Sequence, residues 1–187
     1  MLTCSKLISG GQGLAKALIN RAPTVSIDWD VRQKSRFQVE DSSGRVLSVF
    51  LQRGYVVRGG DVLVADDGSL VRIEAAPQAL LRITTCPQHG TPFDLTRAAY
   101  HLGNRHVPIE LKPDHLKIES DPVLAGMLQS MHLIVNTVHE AFEPEGGAYR
   151  AHHGGSGHSH DHGHDHDHDE HVHEQTHVHG PNCKHDH

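Results

Sequence analysis

The chain has little cysteine, no long apolar run and no excess of basic charge, and each shortage removes a class of protein. Cys4, Cys86 and Cys183 are the only cysteines among 187 residues. An odd, widely spaced set is not the dense, even pattern of a secreted disulfide scaffold, so the three read as reduced thiols. Nowhere do about 18 apolar residues follow one another, as a membrane-spanning helix needs. Residues 1–22 lack the basic start, apolar middle and small-residue cleavage site of a secretory leader. These absences point to a cytoplasmic chain without a membrane partner. Seventeen basic residues face 23 acidic ones, a net charge of −6. Without a one-sided basic field, a nucleic acid is not an expected partner.

Catalytic motifs are missing too. Gly10-Gly11-Gln12-Gly13 is not followed by the Gly-Lys-Ser/Thr that would cradle phosphate and magnesium, so it reads as a loop. Asp165, Asp167 and Asp169 begin like a calcium loop, yet Glu170 stands where the glycine is required and the closing glutamate is absent. No serine or cysteine sits in a nucleophile motif. An enzyme is therefore not expected.

What the chain has in abundance is histidine. Fourteen of its twenty histidines lie between His152 and His187, together with seven acidic residues and a single lysine, Lys184. The remaining body is balanced at sixteen basic and sixteen acidic residues, so the net charge resides in the tail. His152, His153, His158, His160, His162, His164, His166, His168, His171, His173, His177, His179, His185 and His187 alternate for long stretches with carboxylates. Neutral imidazole suits Ni(II), Zn(II) and Cu(II), and composition does not select among them. At four to six donors per ion, the tail has ligands for roughly two to four ions. Cys183, between these histidines, either joins the same pool or stands idle. Protonation near pH ~6.5 competes with metal and carries the tail from about −6 to about +8. Only Val172 and Val178 give the tail anything apolar beyond residue 152, so it is expected to be disordered.

The body has the patterning of a small α+β protein. TVSIDWD (24–30), RFQVED (36–41), VLSVF (46–50), DVLVA (61–65) and LVRIEA (70–75) alternate as half-buried strands do, with Ser42-Ser43-Gly44 and Asp66-Asp67-Gly68 as hairpin turns. This predicts a small all-β domain over residues 1–76. From 77 to 143 the order changes to βαββαβ. ALLRITT (79–85) precedes a helix begun by Thr91-Pro92 and ended at Gly103; HVPIEL (106–111) and HLKIES (115–120) flank the turn Lys112-Pro113-Asp114. Asp121-Pro122 starts a second helix with Val123, Leu124, Met127, Leu128 and Met131 at core spacing, and LIVNTV (133–138) closes the set. That order is the split βαβ of ferredoxin-like domains, with both helices on one face. Residues 144–187 form the third region, the histidine-rich tail.

Outside the tail, His101 and His106 flank the Gly103-Asn104 turn. Either could ligate a metal, or His101 could simply face the negative end of the helix. Cys86-Pro87-Gln88-His89 has one Cys-x-x-His pair and no second pair to close a zinc site. Lys34, Arg36, Arg53 and Arg58 read as solvated strand edges, with a protein-binding patch as the alternative.

The stretches DVRQKSRFQVED, FLQRGYVVRGGDVLVADDGSLVRIEAAPQ, AYHLGNRHVPIE, DPVLAGML and FEPEGGAY, followed by histidine repeats, make the chain resemble the urease accessory proteins called UreE, which are nickel metallochaperones. The resemblance covers nearly all of residues 24–187. It implies a β domain like the peptide-binding modules of Hsp40 chaperones, a ferredoxin-like metal-binding domain, and a homodimer, with metal-linked tetramers as a further possibility. It implies delivery of Ni(II) to the apo-urease activation complex through the urease GTPase accessory protein. The histidine of GNRH, His106 here, is the implied central ligand, met by its symmetry copy and by His152 or His153. Some relatives carry a histidine pair where this chain has Ser120-Asp121-Pro122, so that peripheral site is not carried over. Two alternatives stay open: a metal store in which only the tail matters, and a peptide-binding module of an assembly complex.

Overall fold

The computed structural model describes residues 2–146. Among them the chain makes ten strands and four α-helices in two sheets. The tail expected to be disordered lies outside the described residues.

The first sheet has six strands: β1 (Leu2–Ile8), β2 (Thr24–Ile27), β3 (Arg36–Glu40), β4 (Val46–Phe50), β5 (Val62–Ala65) and β6 (Leu70–Ala75), in the spatial order β2-β6-β5-β1-β4-β3. The two tight hairpins form at the expected turns. Gly44 and Gly68 take φ of 83° and 80°, each closed by its N–H on the carbonyl of Asp41 or Ala65 at 2.9 Å. Positive φ is open to glycine because it has no Cβ to clash. Between the hairpins' strands runs β1, for which residues 1–22 gave no expectation. It pairs with β4 in parallel and with β5 antiparallel, and so occupies the middle of the sheet. Cys4, Leu47, Val49, Leu63, Val71 and Ile73 bury the core beneath it.

This first unit is not all-β. Helix α1 (Lys16–Arg21) packs beside β6, and the strand expected over 24–30 stops at Ile27. There Asp28 turns the chain into α2 (Trp29–Arg32), its carboxylate accepting the Val31 N–H at 2.9 Å as an N-cap does. The glycine-rich stretch is a loop as expected, with a short 3-10 turn at Ser9–Gly11. Gly11 sits at φ 64°, a conformation that favours glycine, and a Cβ there would come within 2.6 Å of Ile19 Cδ1 and push that side chain aside.

Asp41 anchors the β3–β4 turn. Its carboxylate accepts from the Ser43 hydroxyl (2.6 Å), the N–H groups of Ser43 (2.9 Å) and Arg45 (3.1 Å), and Arg45 Nε (2.9 Å). Burial pushes the carboxyl upward, but these hydrogen bonds outweigh it and bring it from 3.8 down to about 2. A depressed carboxyl stabilises the fold above its unfolded pKa and loses that contribution as pH falls through the folded one. Urea unfolding of the native chain and of Asp41→Asn is therefore expected to differ by about 2 kcal/mol at pH 5, with the gap closing as pH falls from 4 to 2. A gap independent of pH would contradict this.

The second sheet is built from β7 (Pro77–Thr84), β8 (Glu110–Leu111), β9 (Leu116–Glu119) and β10 (Ile134–Ala141), antiparallel throughout, in the order β10-β7-β9-β8. Helices α3 (Pro92–Gly103) and α4 (Pro122–Ser130) complete the expected βαββαβ order. Asp94 reaches back to the Thr91 N–H (2.7 Å) and hydroxyl (3.1 Å), and Asp121 accepts the N–H groups of Val123 (2.7 Å) and Leu124 (2.9 Å). Both helices therefore start where the sequence predicts. Leu95, Ala98 and Leu102 of α3 and Leu128 of α4 bury against Leu81, Ile83, Leu116 and Ile118 on one face of this sheet. Val123, expected in the core, is instead 78% exposed at the first turn of α4. The strand expected over 106–111 shrinks to Glu110–Leu111. His106 takes a left-handed conformation and Pro108 has no N–H to give to a ladder. On the sheet's opposite face Leu80 meets Trp29 and Phe142, whose rings stand edge-to-face at 5.9 Å.

Candidate metal centre

His106 owes its position to the end of α3. The Val107 N–H donates to Leu102 O at 3.2 Å and the His106 N–H to Gly103 O at 2.9 Å. This is the Schellman closure of a helix, with Leu102 and Val107 in the same apolar cluster. The residue at its left-handed position is usually glycine; here it is His106, at φ 58°. A side chain held in that region costs of order 1 kcal/mol and is found where the surroundings enforce it. The closure leaves the imidazole exposed beyond the helix. The second helix ends in the same way: Leu133 N–H bonds Leu128 O at 3.2 Å, and His132 sits at φ 63°. Periodicity gave no hint of His132, because left-handed caps are normally recognised by glycine.

His101, one turn before the cap, is half-buried; its ring lies 5.5 Å from that of Tyr100, and its carbonyl accepts from Arg105 at 3.0 Å. No group of three or more histidine, cysteine, aspartate or glutamate side chains is assembled for a metal among the described residues. His152, His153, the twelve further tail histidines and Cys183 lie outside the described residues. At the end of α3 the chain thus presents His106 as an exposed imidazole. The same helix turns Phe93 (62% exposed) and Tyr100 (65% exposed) to solvent one above the other, with Arg97 over the Phe93 ring at 5.3 Å.

Two other sequence candidates are accounted for. Cys86 Sγ lies 3.9 Å from His89 Nδ1. N–H groups of Gln88 and His89 and the His89 imidazole hold the thiol below its usual range. His115 is tied to Asp114 at 2.8 Å and faces Arg82 at 3.4 Å, which gives it a local structural partner.

The arrangement that sequence reasoning missed lies at FEPEGG. Arg32, fully buried, places NH1 2.6 Å from Glu143 Oε1 and donates NH2 to the Phe142 carbonyl. Arg58 was expected to be a solvated edge. Instead it donates to Glu143 Oε2 (3.2 Å) and Pro144 O (2.6 Å) and lies over the Trp29 ring at 5.2 Å. Lys34, Arg36 and Arg53 are exposed, as expected. The Gly59 N–H also donates to Glu143 at 2.8 Å. Burial lowers the Arg32 guanidinium, and the Glu143 carboxylate opposes that shift. The Glu143 N–H donates in turn to Glu110 at 2.8 Å, and the Glu145 N–H to Ile109 O at 2.8 Å. Ile109 is three residues from His106, so Glu145 lies within about 15 Å of the His106 backbone. The sequence signal was the stretch FEPEGGAY, which carried part of the family resemblance but gave no indication of its arginine partners.

Residues 5–76 match the family described as UreE urease accessory protein, N-terminal domain, and residues 78–168 match its C-terminal domain. The urease accessory protein UreE of Albidiferax ferrireducens is 66% identical over 187 residues, all of both chains. That of Polaromonas naphthalenivorans is 66% identical over 185 residues, 99% of this chain and 88% of the relative. That of Paracidovorax citrulli is 72% identical over 151 residues, 81% of this chain and 72% of the relative. The chain belongs to the UreE family of urease accessory proteins.

Proposed function

We propose that this chain is a nickel metallochaperone. It acts as a homodimer that binds Ni(II) at a pair of His106 imidazoles, stocks further ions on its tail and hands nickel to apo-urease through the urease GTPase accessory protein. The observation that carries this reading is the exposed, left-handed His106 at the end of α3. The cap holds an imidazole exposed where glycine would also close the turn; His132 fills the same place at the end of α4, so it is the exposure and ligand chemistry of His106, rather than its φ, that support the reading. One imidazole binds an ion weakly, but an isologous dimer brings the same residue twice to its axis. The exposed Phe93 and Tyr100 on that helix offer apolar area to a second copy. His152 is seven steps along the chain from Glu145, a reach of about 24 Å, which supports His152 or His153 completing the coordination.

Nickel here is cargo, and cargo must leave. A surface site completed by a chain bearing many more imidazoles permits stepwise exchange, one nitrogen replacing another, without a bare ion. Zn(II) and Cu(II) compete for the same nitrogens. The domain reading that goes with this function is a β domain over 1–76 like the Hsp40 peptide-binding modules, a ferredoxin-like domain over 77–143 and the tail from 144. The antiparallel order β10-β7-β9-β8 supports the second of these. The protein works in the cytoplasm and catalyses no reaction of its own. Among the described residues no helix is long and apolar enough to cross a membrane.

Equilibrium Ni(II) binding, counted per dimer, on a chain ending at His153 tests the reading. One tight ion per dimer is expected, lost in His106→Ala. If neither version holds a tight ion, metal resides on the tail alone and the protein is a store.

A further inference from the structure

We propose that the outer face of the β3–β4 hairpin is a docking surface for a short acidic segment of a partner protein, one that carries apolar side chains beside its carboxylates. This is a different surface from the His106 site and does not depend on that reading. The sheet's register builds it. Arg36 pairs with Phe50 and Glu40 with Val46, and residues directly opposite one another in an antiparallel pair point to the same face. Phe37, Val39, Leu47 and Val49 take the other face, against the core. Phe50 and Val46 are therefore turned outward, 48% and 40% exposed, at the two ends of β4. β3 is the last strand in the sheet order, so among the described residues no further strand flanks this face on that side.

Three exposed cations gather at the Phe50 end. The Leu51 N–H donates to the Ser35 carbonyl at 2.7 Å, which brings Lys34 and Arg36 alongside the segment that carries Arg53. Their backbones lie within about 17 Å of one another. Arg32, Arg45, Arg58, Arg72 and Arg82 each meet a carboxylate, whereas Lys34, Arg36 and Arg53 have none at ion-pair distance among the described residues. Unpaired cations beside exposed apolar side chains complement an occupant that has both carboxylates and apolar groups. Exposed Glu40 stands at the other end, so the face is positive at one end and negative at the other, and the occupant's carboxylates belong at the Phe50 end. A nucleic acid, with phosphate charge evenly along its length, would meet Glu40 with the wrong sign. Phe50 and Val46 are four residues apart, roughly 13 Å along a strand, the distance that two side chains four residues apart also cover in an extended segment.

Fluorescence anisotropy of two labelled peptides, SDELTSTVS and its reverse SVTSTLEDS, titrated with the full-length protein probes the surface in either chain direction. At least one is expected to bind saturably with a Kd below about 1 mM, and to weaken as salt is raised. Arg36→Glu is expected to weaken that binding at least about tenfold, because an attraction becomes a repulsion. Phe50→Ser should cost about five- to tenfold through lost apolar contact. Lys34→Glu with Arg53→Glu, both outside the ladder, should match Arg36→Glu and keeps the test available if that variant does not fold. Lys16→Glu makes the same charge change on exposed α1 and should leave binding within about twofold. Failure of both peptides to bind, or equal loss in Lys16→Glu and Arg36→Glu, overturns the proposal. Heparin or phosphatidylglycerol vesicles that bind the native protein but not Arg36→Glu, with the peptides ignored, would overturn it in favour of a polyanion or a lipid surface. A fall in sedimenting mass in Arg36→Glu would make the occupant a second copy of this chain instead.

Discussion

Replacing His106 by glycine is expected to stabilise the fold by about 1 kcal/mol while weakening the tight nickel site at least a hundredfold. The two effects have separate origins. Stability rises because the Schellman closure places residue 106 at φ 58°, where glycine meets no Cβ clash. A further small opposing effect comes from the greater freedom of glycine in the unfolded chain. On the proposed reading, affinity falls because a dimer would lose two imidazoles from one ion, and even removing a group that only supports a ligand commonly costs about 10- to 100-fold. His132→Gly is the control. It relieves the same strain, at φ 63° at the end of α4, and should stabilise similarly while nickel affinity stays put. Urea midpoints and chelator competition on the three proteins check both halves. If His106→Gly destabilises by more than about 1 kcal/mol, the strain argument fails.

Lys117→Met is expected to destabilise the fold by about 3–5 kcal/mol, enough to lower the melting temperature by roughly 10 °C. Lys117 and Glu110 are both buried beneath the second sheet's edge. The ammonium meets Glu110 Oε2 at 3.1 Å, Glu140 Oε2 at 3.4 Å and the Ala141 carbonyl at 2.8 Å. Removing it leaves the Glu110 carboxylate in a poorly solvated place, with the more exposed Lys112 at 3.5 Å as its remaining ion-pair partner and the Glu143 N–H at 2.8 Å as a neutral donor. The penalty is that of an unpaired buried charge rather than the net worth of the pair. Neutralising the partner should therefore restore most of the loss, and Lys117→Met with Glu110→Gln is expected to be more stable than Lys117→Met alone. Thermal unfolding of the two singles and the double decides it. A loss below about 1 kcal/mol in the single would mean that water reaches Glu110 and screens it.

What could be read from the sequence were features governed by neighbours along the chain. Gly44 and Gly68 mark hairpins because a tight turn needs positive φ. Thr91 and Asp121 mark helix starts because orphan N–H groups need an oxygen close by. The histidine-rich tail follows from composition, and the family resemblance from DVRQKSRFQVED, GNRH and FEPEGGAY as written. Local rules failed where two signals competed. Asp28 could continue an alternating strand or cap a helix, and the cap prevailed; Val123 matched a helical stripe, but the first turn of α4 leaves it in water.

Tertiary structure alone decided the rest. That β1 runs through the middle of the first sheet depends on partners more than forty residues away, at Leu47 and Val62. The Glu143 carboxylate joins Arg32 across a separation of 111 residues and Arg58 across 85. An arginine in a sequence is equally suited to solvent and to a buried carboxylate, and only folding shows which it meets. His106 carries the same lesson. The residues alone offered His101 and His106 alike as possible ligands, and the family resemblance singled out His106. The close of α3 decided that this imidazole stands exposed in a left-handed cap, because that geometry is set by Leu102 and Val107 packing and bonding together.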